Sequence, residues 1–160
     1  MSPEAEAIWA GLEFRAPAMF RLIEPLSADQ LVWPPQHGAN PIAWQLWHIA
    51  EVEDNWVREL LEGQARRFPF GRSVREAHQK PYPPKSALLD YFREVRELSR
   101  QRLAATSPTD FGRVVMDPHF GALSVRALWA GVVTSFAWHA GQIALTVRLL
   151  HGGAPMPGAA

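Results

Sequence analysis

The chain has 160 residues, carries 16 basic and 16 acidic side chains for a formal net charge of zero, and contains no cysteine. This length suits one domain with a substantial core. The balanced charge argues against a nucleic-acid-binding or anionic-lipid-binding surface, and the lack of cysteine excludes disulfides, thiolate metal ligands and a cysteine nucleophile. Because Glu4 and Glu6 occupy the place where a signal peptide would be basic, we expect a cytoplasmic protein.

The first predicted helix begins with Ser2 as its cap and Pro3 at its first position. It is expected to run to about Pro25, with a kink or break near Pro17. Residues 27–30 then predict one short extra turn.

The second predicted helix begins with the same combination, Asn40 as the cap and Pro41 after it. It is expected to reach Glu62, where Gly63 ends it. Residues 64–85 then form a long connection with several arginines and prolines. A connection of this length is either functional or a crossover between distant helices.

The third and fourth long helices are predicted at residues 86–105 and, with Ser124 as cap, from there to about Leu150. Residues 110–123 read as irregular, and no strand is predicted. Four amphipathic helices with a long connection between the second and the third predict an all-α helix bundle at residues 1–152. Residues 153–160 are rich in Pro, Gly and Ala and predict a flexible tail.

One segment has the length of a membrane span. Residues 127–147 contain no charged side chain, and a bilayer takes about 20 residues to cross. However, the segment carries Ser135, His139 and Gln142 on one face. We therefore interpret it as a buried bundle helix rather than a membrane helix.

Two histidines on separate helices are the main candidates for a site. On the last helix His139 shares a stripe with Val132, Phe136 and Ile143, which predicts that it points inward. His48 lies on the second helix, which is apolar almost all round. A buried imidazole needs partners, so the alternative to a site is a core histidine bonded to a carbonyl or carboxylate. If both face the interior, their side chains should lie within a few ångströms of each other.

Carboxylates accompany His48 on its helix. His48 and Glu51 have the His-x-x-Glu spacing that lets two side chains reach one metal ion, although Glu51 could equally be solvated. Glu53 falls among apolar residues, where a carboxylate is either paired or functional. Trp44 and Asn55 share the face of His48 and are candidate pocket residues.

Other residues allow weaker hypotheses. His37 and His119 lie in loops that could close over a pocket at the end of the bundle. The arginines of residues 64–75 could hold an anionic substrate but are more often solvated. Six of the tryptophans are expected to lie in the core or at a dimer interface. They are Trp33, Trp44, Trp47, Trp56, Trp129 and Trp138.

Three motifs together resemble one known family. They are LSADQL at 26–31 followed by Trp33-Pro34, WQLWHIA at 44–50, and HAGQI at 139–143. In order and spacing the chain resembles the DinB-like superfamily, which includes bacillithiol transferases and mycothiol-dependent maleylpyruvate isomerase. The resemblance implies an up-down-down-up four-helix bundle, commonly a homodimer, and a divalent metal such as zinc, nickel or iron held by three histidines.

The implied metal site is incomplete in this sequence. Two family histidines map to His48 and His139, but the third maps to position 135, which is Ser135. A serine hydroxyl is a poor zinc ligand. Glu51 or a loop histidine is the candidate substitute.

Two hypotheses about function follow. The first is a metal-dependent enzyme of thiol-transferase or hydrolase type, in which His48, His139 and Glu51 hold the metal. The second is a metal-free dimeric binding or stress-response protein without catalysis. In both, Ser135, Gln142, Trp44 and Asn55 line a pocket for a small molecule. The homodimer is also expected because the second helix is apolar beyond what one bundle face needs.

Overall fold

The computed structural model describes residues 1–35, 39–79 and 81–152. The predicted tail at 153–160 and the loop residue His37 lie outside the described residues. The described chain is mostly helical, as predicted. Its helices are α1 (Pro3–Ile23), α2 (Ala28–Val32), α3 (Ile42–Asn55), α4 (Lys85–Ala105) and α5 (Val125–Leu150).

The helix starts at Ser2 and Ser124 are confirmed. The hydroxyl of Ser2 accepts a hydrogen bond from the Ala5 N–H at 3.3 Å, and that of Ser124 accepts one from the Ala127 N–H at 3.1 Å. The predicted break near Pro17 is wrong, since α1 continues through this residue to Ile23. The stabilisation from burying residues around Pro17 exceeds the cost of the one backbone hydrogen bond that proline cannot donate.

The start of α3 differs from the prediction. Pro41 occupies the cap position without a side-chain cap bond, and the Asn40 carbonyl accepts a hydrogen bond from Gln45 Nε2 at 3.4 Å. At its other end α3 passes into a π-helix at Trp56–Leu61 rather than continuing as α-helix. The chain then ends its helical path at Gly63, which adopts φ +66°, as its position in the sequence predicted.

Residues 110–123 are not irregular throughout, which corrects the prediction. A 3₁₀ turn (Asp110–Gly112) leads into an antiparallel hairpin of β1 (Val114–Asp117) and β2 (Gly121–Ser124), with Val114 opposite Ser124 and Asp117 opposite Gly121. The buried Asp117 carboxylate accepts hydrogen bonds from the backbone N–H groups of His119 and Phe120, at 2.7 and 2.9 Å. This turn pairs two strands that are too short to show a sequence pattern.

The core lies between the long helices. α3 packs against α4 on one side and α5 on another, and α1 packs against α5 and α4. Its largest buried side chains include Trp47, Trp129, Phe111 and Phe136. The apolar side chains of α3 are covered within the molecule. The exposed apolar surface that the sequence predicted for this helix is therefore absent. No helix in residues 1–35, 39–79 and 81–152 has the length and hydrophobicity to cross a membrane.

The buried carboxylate Glu53 is paired. Its oxygens lie 2.6 Å from the Ser99 hydroxyl and 3.2 Å from the Arg96 guanidinium on α4. The guanidinium also lies over the rings of Phe92 and Phe136, at 5.0 and 4.6 Å. Burial raises the pKa of Glu53, while Arg96 and Ser99 oppose that rise. Of the two alternatives for this carboxylate, pairing is the one observed.

Candidate functional site

Two imidazoles meet between α3 and α5. The ring centroids of His48 and His139 are 4.7 Å apart, with the rings at 72° to each other. Trp44, one turn before His48, stacks on the His48 ring at 4.5 Å and 15°. The apolar stripes of the two helices bring these histidines together, at the separation that the sequence led us to expect.

The amide side chains around His139 determine which ring nitrogen carries its proton. Its Nδ1 lies 2.5 Å from Gln45 Oε1 and 3.0 Å from Gln142 Oε1. Both neighbours are amide oxygens, which accept hydrogen bonds, so Nδ1 is the donor. In the neutral ring the lone pair is therefore on Nε2. A hydrogen bond donated by Nδ1 selects this tautomer in many histidine sites.

Both imidazoles are held in the neutral form. Burial lowers the pKa of His48 to about 4, with further contributions from His139 and Arg75. Burial also lowers the pKa of His139, against the opposing effect of its bond to Gln142. Near pH 7 each ring therefore keeps a lone pair that can accept a proton or a hydrogen bond.

A cavity of about 770 Å³ opens beside His48. Helices α3 and α5, the π-helix, the connection at residues 62–84 and the β1–β2 turn all contribute to its walls. Asn55 and Ser135, both predicted pocket residues, line it. The other two predicted pocket residues contact the imidazoles instead, since Trp44 stacks on His48 and Gln142 bonds His139.

Glu51 lies at the cavity wall but is not solvated. It is 5% exposed, and its two oxygens accept hydrogen bonds from the Ser73 hydroxyl at 2.5 Å and the Val74 N–H at 2.9 Å. Both donors belong to the connection at residues 62–84. Glu51 therefore holds part of the cavity wall in place, and each of its oxygens already accepts one hydrogen bond.

A second buried carboxylate of α3 holds the same connection. Asp54 accepts hydrogen bonds from Arg67 and Arg58, both at 2.7 Å, and from the Tyr91 hydroxyl at 3.1 Å. Arg67 also reaches Glu94 on α4 at 2.7 Å. The Arg67 contacts show that this arginine of residues 64–75 is structural rather than solvated.

Among the described residues, no third metal ligand joins His48 and His139. Ser135 replaces the third histidine that the resemblance implies, and Glu51 is turned toward Ser73 and Val74. His119 lines the cavity from the β1–β2 turn. Within the three described ranges, however, no three His, Cys, Asp or Glu side chains are grouped so as to hold a metal ion.

Three residues around the site were not predicted to be part of it. Gln45 is buried and bonds His139, and Trp56 and Gly131 line the cavity in contact with each other. Gln45 had a sequence signal, since a glutamine on an apolar helix face three residues before His48 needs a partner. The contact between Trp56 and Gly131 had none, because it joins residues 75 positions apart.

Comparisons with known proteins agree with this architecture. No curated protein matches the chain. A solved structure described as the conserved protein of locus from Enterococcus faecalis matches with a TM-score of 0.77 at 14% sequence identity, covering 92% of this chain and 96% of that one. At this identity the likeness concerns the fold alone. The family model of the DinB superfamily matches residues 12–143. The chain therefore belongs to the DinB superfamily.

Proposed function

We propose that this protein binds a small organic molecule in the 770 Å³ cavity, with the His48 imidazole at its polar end, and does so without a three-ligand metal centre. The observation that carries the proposal is the state of the third ligand position. Residue 135 is a serine, and the oxygens of the nearby Glu51 accept hydrogen bonds from the Ser73 hydroxyl and the Val74 N–H. A volume of this size falls within the range of about 300–1,000 Å³ typical of small-molecule sites.

The chemistry available to such a ligand comes from the neutral imidazole of His48. His48 borders the cavity, and Trp44 and His139 fix its ring from the other side. A neutral imidazole accepts a hydrogen bond from a hydroxyl, thiol or amine of the ligand. The same group would act as a general base if the ligand carries a proton to be removed.

The metal content of the purified protein tests the proposal. The full chain is produced without a histidine tag and analysed by mass spectrometry for zinc, nickel and iron. We expect well under one metal ion per chain, and only weak zinc binding by calorimetry. One tightly held ion per chain, lost in His48→Ala, would overturn the proposal.

A metal-dependent enzyme of thiol-transferase or hydrolase type is the second candidate. The observation that favours it is the hydrogen bonding of His139, because bonds at Nδ1 leave Nε2 with the lone pair that a metal ligand needs. In that case zinc, nickel or iron would require a donor in addition to His48 and His139. Tight metal binding in the analysis above would favour this candidate.

We also propose the up-down-down-up helix order and a homodimer. The long connection between α3 and α4 supports the helix order, since it allows a crossover between distant ends. The outward face of α5 supports the dimer. It exposes Trp138 and Leu145, and no charged residue lies between 127 and 147. An uncharged face meets its own copy across a twofold axis without like-charge repulsion.

A further inference from the structure

Two aromatic side chains form a corner in the cavity wall. Trp56 is the first residue of the π-helix, and Phe120 lies in the β1–β2 turn. Their ring centroids are 6.4 Å apart and their planes are at 79°. Both rings line the cavity, as does Phe68 from the connection at residues 62–84. Phe68 and Phe120 are 43% and 68% exposed, so aromatic surface also borders the cavity where it opens to solvent.

Gly131 on α5 determines how deep this corner is. A Cβ atom at position 131 would lie 2.8 Å from Cζ3 and 2.9 Å from Cη2 of Trp56, closer than real Cβ contacts allow. The benzo edge of the indole therefore rests in the notch that the glycine leaves. Any larger residue at 131 would push the indole out of the notch, and the cavity is the free space beside it.

The charges around the cavity argue against an anionic ligand. Its lining includes two arginines, Arg66 and Arg75, against four carboxylates. The carboxylates are Glu51, Glu59, Glu76 and Asp117. Arg66 is also paired with Glu59 at 2.5 Å. The lining therefore carries more carboxylates than guanidinium groups, and this excess of negative charge disfavours an anionic ligand in a partly enclosed site.

We infer that the cavity selects an uncharged, flat aromatic molecule, which packs into the corner of Trp56 and Phe120 with a hydrogen-bonding group toward His48. The inference rests on the proposed function and names its ligand class. Offset-stacked and edge-to-face contacts favour a planar ring over a saturated ring of equal size. A ring stacked on the indole would also meet Phe120 nearly at right angles, as the 79° between the two planes allows.

Calorimetry with three matched compounds tests the inference on the full chain at pH 7. The probes are 2-naphthol, its saturated counterpart decahydro-2-naphthol, and the anion 2-naphthoate. We expect 2-naphthol to bind roughly 3- to 10-fold more tightly than the saturated alcohol, as aromatic pairing predicts. It should also bind more tightly than the anion. His48→Ala should weaken both alcohols if they occupy this cavity.

Two variants test the corner itself. Gly131→Ala should weaken 2-naphthol binding by roughly tenfold or more, because the displaced indole fills the site. Gly141→Ala is the matched control, since a Cβ at that position on the same helix meets nothing within 4 Å. If Gly131→Ala does not fold, Trp56→Leu serves instead. It should reduce the difference between the naphthol and its saturated counterpart to less than about twofold, because the stacking surface is gone.

The results separate this inference from the proposed function. Equal affinity for the two alcohols, tighter binding of 2-naphthoate, or equal effects of Gly131→Ala and Gly141→Ala would overturn the inference. In each of those cases binding that His48→Ala weakens would leave the proposed function standing. Absence of binding by all three compounds would overturn the inference, and the metal analysis would still judge the proposed function separately.

Discussion

At the scale of single residues, Ser135 stands at the position where the family resemblance implies a third histidine. It lies one helical turn before His139 on α5, and it lines the cavity beside His48. Ser135→His should therefore raise zinc or nickel affinity by about tenfold or more, because a third imidazole on the same face completes a common ligand set. Titration calorimetry measures the gain. Ser135→Asn, which adds bulk without an imidazole, should show none, and an equal gain in both variants would contradict the prediction.

The Glu53–Arg96 pair gives a second prediction at this scale. Both side chains are almost wholly buried, at 3% and 8% exposure. Arg96→Met should lower the free energy of unfolding by about 3–5 kcal/mol, because it leaves the Glu53 carboxylate without its cation. The double variant E53Q/R96M should recover most of that loss. Urea unfolding curves give the comparison, and a double variant no more stable than Arg96→Met would show that the pairing is not the cause.

At the scale of elements, the connection at residues 62–84 depends on the carboxylates of α3. Glu51→Ala removes the acceptor of the Ser73 hydroxyl and the Val74 N–H, which costs about 1–3 kcal/mol for buried groups left unpaired. We expect faster trypsin cleavage after the arginines of this connection, at an unchanged overall helix content.

Glu97→Ala is the control for that experiment, since Glu97 is an exposed carboxylate on α4 that bonds Arg100. It should leave the cleavage rate unchanged. The same Glu51→Ala protein also addresses the metal hypothesis. Loss of zinc binding with no change in cleavage would mean that Glu51 acts as a ligand and not as an anchor of the connection.

At the scale of the whole molecule, the dimer proposal concerns the outward face of α5. Trp138 is 67% exposed and Leu145 57%, on a stretch of helix without charge. We expect light scattering to give a dimer mass at micromolar concentration, and the double variant W138S/L145S to give a monomer. Met116→Ser is the control, because Met116 is 67% exposed but lies on β1 rather than on α5. A monomer mass for the unaltered chain would refute the proposal.

Local sequence patterns were sufficient for the positions of the long helices and for the inward facing of His139. Ser2 and Ser124 satisfy free N–H groups within three residues of themselves, so their effect is visible in the sequence. Period-3.6 spacing of apolar residues places His139 on the buried stripe of α5. Each of these properties depends on neighbours within a turn or two of the same helix, which is why they could be predicted.

Tertiary packing decided the identity of the partners. Glu51 has the spacing of a metal ligand relative to His48, yet it bonds Ser73 and Val74, which lie more than 20 residues away. Gly131 matters because Trp56, 75 positions earlier, packs on it. A buried polar or aromatic group needs a partner, and the sequence shows that need. Which residue meets it depends on how distant elements approach each other, and only the folded chain determines that.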